Sequence, residues 1–278
     1  MEKFTLNNGV QLPVLSIGTN RMKQEKLESI LSAAIDAGIT FFDTARDYGN
    51  EKVVGQAIKK VCDLKSIKRE DIFITTKVGN SQQLRKNMLF EIEESLNNLK
   101  TEYIDLWLLH WPYPDFYIDN YLQMEKILDS GKVRAIGIAN CQERHLQKLL
   151  DSPIKYIPMV IQIEHHPLRV SHDLLQYCKK LGIIIEAYSP FCFMIDKIRK
   201  NELLISLAEK YHKTVGQIIL RWHYQHQILP VFRSENPNRF KENANIFDFS
   251  ISYEDMNKIN SLDEDFKFIP ESLHCPGY

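Results

Sequence analysis

The chain has 278 residues, a formal net charge of −1, 44% hydrophobic residues and 26% charged residues. That is the composition of a soluble globular protein, without the broad positive field that would attract nucleic acid or anionic lipid and without an apolar run long enough to cross a bilayer. Cys62, Cys141, Cys178, Cys192 and Cys275 form no C-x-x-C pair, so reduced thiols and a cytoplasmic setting are expected. The polar stretch from Met1 to Gly9 does not read as a signal peptide.

Phe4-Thr5-Leu6 and Val10-Gln11-Leu12 flank an Asn8-Gly9 step, which predicts a β-hairpin closing one end of the fold. Short β-rich runs follow at Val14 to Ile17, Thr40 to Phe42, Ile72 to Thr76, Ile104 to Leu109 and Val133 to Ile138. Three more lie at Met159 to Ile163, Ile183 to Ala187 and Ile228 to Phe232. Between them, sets such as Leu27-Ile30-Leu31-Ala34-Ile35 and Leu84-Met88-Ile92-Leu96-Leu99 repeat at helical spacing, and Gly38, Gly131 and Gly182 supply helix stops. Eight strand-helix beats predict an α/β fold, a (β/α)8 TIM barrel spanning residues 1–278 as one domain, with the hairpin at the barrel bottom. An open doubly wound sheet would imitate part of the pattern.

In such a barrel the chemistry sits at the C-terminal ends of the strands. Those positions hold Gly18-Thr19, Asp43, Lys77, His110, Asn140, Gln162, Tyr188 and Arg233. Taken singly, Asp43 reads as a turn or cap residue, Lys77 as a solvated strand end, and His110, Tyr48 and Tyr188 as packing residues. Core packing would not select the series. No G-x-G occurs, so a dinucleotide would have to be held by something other than a Rossmann loop.

The segment Phe42-Asp43-Thr44-Ala45-Arg46-Asp47-Tyr48-Gly49-Asn50-Glu51 resembles the signature of the aldo-keto reductase family. The resemblance continues through Ile74-Thr75-Thr76-Lys77, Leu108-Leu109-His110-Trp111-Pro112, Gly137-Ile138-Ala139-Asn140, Gln162-Ile163-Glu164 and Ala187-Tyr188-Ser189-Pro190. It implies an enzyme that transfers a hydride from NADPH to an aldehyde or ketone, with Asp43, Tyr48, Lys77 and His110 as the catalytic set. Hydride addition puts negative charge on the carbonyl oxygen, which needs a proton donor, and a free phenol is a poor one. A cationic Lys77 held by Asp43 would make Tyr48 the general acid, while His110 would donate to the same oxygen.

By the same resemblance the NADPH/NADP+ cofactor is held by Gly18, Thr19, Asn140, Gln162, Tyr188 and Ser189 around the nicotinamide. Arg233, Ser234, Asn236, Arg239, Glu242 and Asn243 serve the adenosine end. Arg233 and Arg239 suit a 2′-phosphate and are expected to share a preference for NADPH over NADH. Asn20, Tyr48, His110, Trp111, Phe191 and Tyr278 are the implied substrate wall, with small aldehydes and dicarbonyls as the expected substrates. The chain departs from the family at Ala139, where a Ser is usual, at Asn20 and His165, where aromatics are usual, and in its short stretches after Trp111 and Tyr188. Glu164-His165-His166 and His223-x-x-His226 lack a third ligand at metal spacing, so no metal is expected. A monomer is expected, free of nucleic acid and membrane. The alternative function is a non-catalytic NADP(H)-binding barrel with a regulatory or structural role.

Overall fold

A computed structural model describes residues 2–270, 274–275 and 277–278. Strands β1 (Lys3–Thr5) and β2 (Gln11–Pro13) form an antiparallel hairpin with Phe4 opposite Leu12. Gly9 supplies the positive φ of 87° that the turn requires. Asn7 and Asn8 donate side-chain hydrogen bonds to the carbonyls of Pro158 and Arg134, which precede barrel strands, so the hairpin covers the N-terminal, bottom end as expected.

The barrel strands are β3 (Ser16–Gly18), β4 (Phe41–Asp43), β5 (Phe73–Val78), β6 (Leu106–Leu109), β7 (Ile136–Ala139), β8 (Val160–Glu164), β9 (Ile184–Tyr188) and β10 (Ile228–Phe232). All neighbours pair in parallel. Val231 lies in register with Tyr188 on one side and Ser16 on the other, which closes the ring. The open-sheet alternative is thereby excluded. Several strands start one to three residues after the β-rich runs that predict them: Ile104 and Val133, for example, form an isolated bridge below the start of β6 and β7.

The outer helices follow their apolar stripes. Helix Leu27–Asp36 buries Leu27, Ile30, Leu31 and Ala34. Leu84, by contrast, does not belong to the helix whose stripe it seemed to begin. That helix runs Met88–Leu99; Lys86 takes a positive φ of 50°, Asn87 accepts from the Phe90 amide as N-cap, and Leu84 is left exposed. Gly38, Gly131 and Gly182 take φ of 81°, 80° and 68° at the expected helix stops. Among the described residues no helix is long and apolar enough to cross a membrane.

Most of the core is aliphatic, but its charged members are informative. At the bottom, buried Asp105 holds Arg69 and Arg134 at 2.7 Å each and accepts from the Ile74 amide, satisfying a charge that burial would otherwise penalise. Towards the opposite end, Asp43, Lys77 and Glu186 are buried together.

Candidate active site

Strand β4 ends on Asp43, and the chain then turns. The Thr19 amide donates to the Asp43 carbonyl and the Thr44 amide to that of Thr75, which pins both neighbouring strand ends to this one. A single 3-10 turn, Arg46–Tyr48, is ended by Gly49 at φ 67°. That turn brings Tyr48 back over Lys77 of β5. The Lys77 Nζ lies 2.6 and 2.7 Å from the two oxygens of Asp43, 3.1 Å from the Thr44 carbonyl and 3.4 Å from the Tyr48 hydroxyl. His110 follows β6, its ring edge-on to that of Tyr48 at 5.7 Å between centroids. The four residues expected to act together are thus brought together.

Their protonation follows from the same contacts. Burial pulls Lys77 down, but Asp43, the Tyr48 oxygen and Glu186 outweigh it and hold the ammonium above its ordinary 10.5. Burial drives the Tyr48 phenol above 10.0, and Lys77 opposes that rise without cancelling it. Tyr48 is therefore a protonated phenol at neutral pH, with a cation placed to receive the phenolate. Burial lowers His110 below 6.5, against an upward pull from the Asp47 carboxylate, so a neutral ring predominates at pH 7.

Gln162, in β8, extends the cluster inward. Its Nε2 donates to Asp43 Oδ2 at 2.9 Å and to Glu186 Oε2 at 2.7 Å. Glu186 on β9 is fully buried, and burial together with the nearby Asp43 charge pushes it up to about 8. Its Oε1 has no hydrogen-bond partner. Sequence reasoning overlooked this residue, although one acid within the run Ile183-Ile184-Ile185-Glu186-Ala187 was a visible anomaly.

Asn140 organises the far wall from a left-handed conformation, φ 58°. Its Nδ2 donates to the His110 carbonyl at 2.8 Å, its Oδ1 accepts from the Tyr188 hydroxyl at 2.8 Å, and its carbonyl accepts from the Tyr278 hydroxyl at 2.7 Å. Asn140, Tyr188 and Tyr278 line one cavity with Cys141, Gln142 and Ile163. The last residue of the chain therefore reaches the site. Trp111 packs edge-on against Tyr278 at 5.6 Å and stacks on His274 at 5.8 Å. Glu164 anchors the approach of this C-terminal segment, accepting from the Phe268 and Ile269 amides and from His166, so the Glu-His-His run has a structural use.

Other expected contacts are dispersed. Phe191 packs on Phe232 at 5.9 Å. Asn20 is exposed and offers its carbonyl to Arg233 at 3.1 Å. Thr19 is buried, its hydroxyl donating to the Asp43 carbonyl, while Gly18 lies against Val231 and β10. Ser189 holds a positive φ of 50°, and its carbonyl accepts from the Cys192 amide in a tight turn after β9.

After β10, Arg233, Ser234, Asn236 and Arg239 gather on an exposed loop and short helix, with Glu242 and Asn243 further along that helix. The Arg239 Nη1 is already paired with Glu242 at 2.7 and 2.9 Å, and Glu242 also accepts from the Thr214 hydroxyl. Arg233 instead donates to the Asn20 and Arg21 carbonyls. The two arginines are unequally engaged.

Comparison with known proteins identifies the family. Residues 14–264 match the model of the aldo/keto reductase family, and the chain belongs to that family of oxidoreductases. It is 43% identical to glyoxal reductase of Bacillus subtilis (strain 168) over 268 residues, 95% of this chain and 94% of the relative. An aldo-keto reductase from a Medee basin deep-sea metagenome library superposes with a TM-score of 0.91 at 38% identity, covering 96% of this chain and 97% of the other. A Bombyx mori aldo-keto reductase solved in complex with NADP also superposes at 0.91, with 30% identity and coverage of 99% and 98%.

Proposed function

We propose that this enzyme reduces small aldehydes, ketones and dicarbonyls with NADPH, using Tyr48 as the general acid. The observation that carries the reading is the placement of the Lys77 ammonium between Asp43 and the Tyr48 hydroxyl. When bound, the cofactor supplies the hydride that the carbonyl carbon accepts. As the carbonyl π pair collapses onto oxygen, the Tyr48 hydroxyl gives that oxygen its proton, and the alcohol leaves. The residual phenolate is matched by Lys77, which Asp43 keeps charged and in place.

The donors present suit NADP(H). Two guanidinium groups with Ser234 and Asn236 on the exposed β10 loop offer the charge-assisted contacts that a 2′-phosphate needs. By the family resemblance, Gln162 and Asn140 would hold the carboxamide and the Tyr188 ring would carry the nicotinamide, with Gly18, Thr19 and Ser189 at the adjoining strand ends. Glu242 and Asn243 would meet the adenine, and Trp111 and Tyr278 would wall the substrate. Preference for dicarbonyls is supported by similarity to the Bacillus glyoxal reductase. The non-catalytic alternative finds no support in a site where Asp43, Tyr48, Lys77 and His110 are all present and in contact range. Following NADPH absorbance with methylglyoxal or 4-nitrobenzaldehyde separates the two readings: consumption supports the reductase, and tight NADPH binding without consumption contradicts it.

A further inference from the structure

Asp47 was absent from the expected site, yet its carboxylate lies 3.3 Å from His110 Nδ1. That nitrogen is buried, and the contact is at ion-pair distance without hydrogen-bond alignment. The position of Asp47 is itself built in. A Cβ added to Gly79 would lie 2.0 Å from both Asp47 carboxylate oxygens, so the acid occupies the volume a side chain at 79 would take. Gly79 has φ −79° and ψ 177°, a conformation open to any residue. Its lack of a side chain is therefore needed for space rather than for backbone freedom.

The negative charge of Asp47, 3.3 Å from Nδ1 but not aligned to accept a hydrogen bond from it, favours a proton on the ring nitrogen it faces. Resting on the proposed carbonyl reduction, we propose that Asp47 is a positioning residue for His110, holding a proton on Nδ1 and favouring the imidazolium form in which Nε2 also donates to the substrate oxygen. Neutral His110 in this tautomer presents a bare Nε2, which has no hydrogen to give a carbonyl. Full assistance to reduction therefore requires the second proton. The charged and titratable groups facing the ring are Asp47 and Tyr48 from the turn after β4, Asp43 at the end of β4 and Lys77 on β5. Lys77 opposes protonation of His110, whereas Asp47 and Asp43 favour it. Asp47 is the member of this set in direct contact with the ring nitrogen and is not committed to Lys77.

The test combines nitrogen-15 NMR of His110 with the pH dependence of kcat/KM for methylglyoxal reduction. Wild type should show the Nδ1–H tautomer when neutral, and Asp47→Val should shift it to Nε2–H. An Nε2–H tautomer in wild type overturns the proposal. In kinetics, kcat/KM should fall as pH rises through the His110 pKa, and Asp47→Asn should move that fall down by about one pH unit. Gly79→Ala, which displaces the carboxylate, should move it the same way. Superimposable wild-type and Asp47→Asn profiles would overturn the proposal, as would a loss of NADPH affinity in Asp47→Asn that accounted for its kinetic change. If wild type reduces no carbonyl, the functional reading fails, while the tautomer still decides what Asp47 does to His110.

Discussion

The Lys77 ammonium stands 3.4 Å from the Tyr48 hydroxyl while both oxygens of Asp43 hold it from the other side. Removing that charge in Lys77→Met leaves burial unopposed, so the Tyr48 pKa moves further up and the phenolate loses its counter-ion. Carbonyl reduction should fall by about 10²- to 10⁴-fold, the range of a general acid's contribution. NADPH affinity should change far less. Steady-state kinetics with fluorescence titration of NADPH checks the split; a fall in affinity that explains the whole loss would place Lys77 in cofactor binding instead.

Glu186 gives a stability prediction whose sign is fixed by its shift. Its carboxyl rises from an ordinary 4.5 to about 8 in the folded protein, so folding favours the protonated form. The contribution is complete below about 4.5 and is lost as pH climbs through about 8. Glu186→Gln keeps an uncharged side chain beside Gln162 at every pH. Its urea midpoint should therefore gain on wild type between pH 5 and pH 8.5. An equal difference at both pH values would show that Glu186 is not protonated in the folded protein at pH 5 and charged at pH 8.5.

On the proposed NADPH reading, Arg239 would meet a 2′-phosphate only against its ion pair with Glu242, whereas Arg233 would give up weaker hydrogen bonds to the Asn20 and Arg21 carbonyls. Arg233→Ala should weaken NADPH binding by about tenfold, the loss expected for one charge-assisted contact. Arg239→Ala should cost less, because its phosphate contact competes with the existing ion pair. Glu242→Gln should tighten NADPH by releasing Arg239, with little change for NADH. Tryptophan-fluorescence titrations with both cofactors measure all three, and weaker NADPH binding in Glu242→Gln would instead favour the adenine contact expected of Glu242.

Much of this arrangement was legible before any coordinates. Asp43, Lys77 and His110 stood out because polar residues end apolar strands, and a closed barrel brings such ends to one mouth. Tyr48 was legible through the motif that holds it, although its approach to Lys77 depends on the turn stopped by Gly49. Glu186 was visible as a lone acid in an apolar run, but its use was not, because alternation along a parallel strand does not distinguish a residue aimed at Gln162 from one aimed at a helix. Asp47 was hidden for another reason: its role depends on empty space above Gly79, which lies on a different strand end. Leu84 was misread because helical periodicity runs through a cap that Asn87 and the left-handed Lys86 impose. Residues at strand ends were thus readable from spacing, whereas those defined by a partner elsewhere in the chain were not.

The claim that Tyr48 supplies the proton is tested most directly by single-turnover reduction of methylglyoxal in Tyr48→Phe with NADPH prebound. The substitution removes the hydroxyl facing Lys77 and keeps the ring beside His110. The account predicts NADPH affinity within a few-fold of wild type and a hydride-transfer rate lower by about 10²-fold or more. A rate within a few-fold of wild type, at unchanged cofactor affinity, would contradict it.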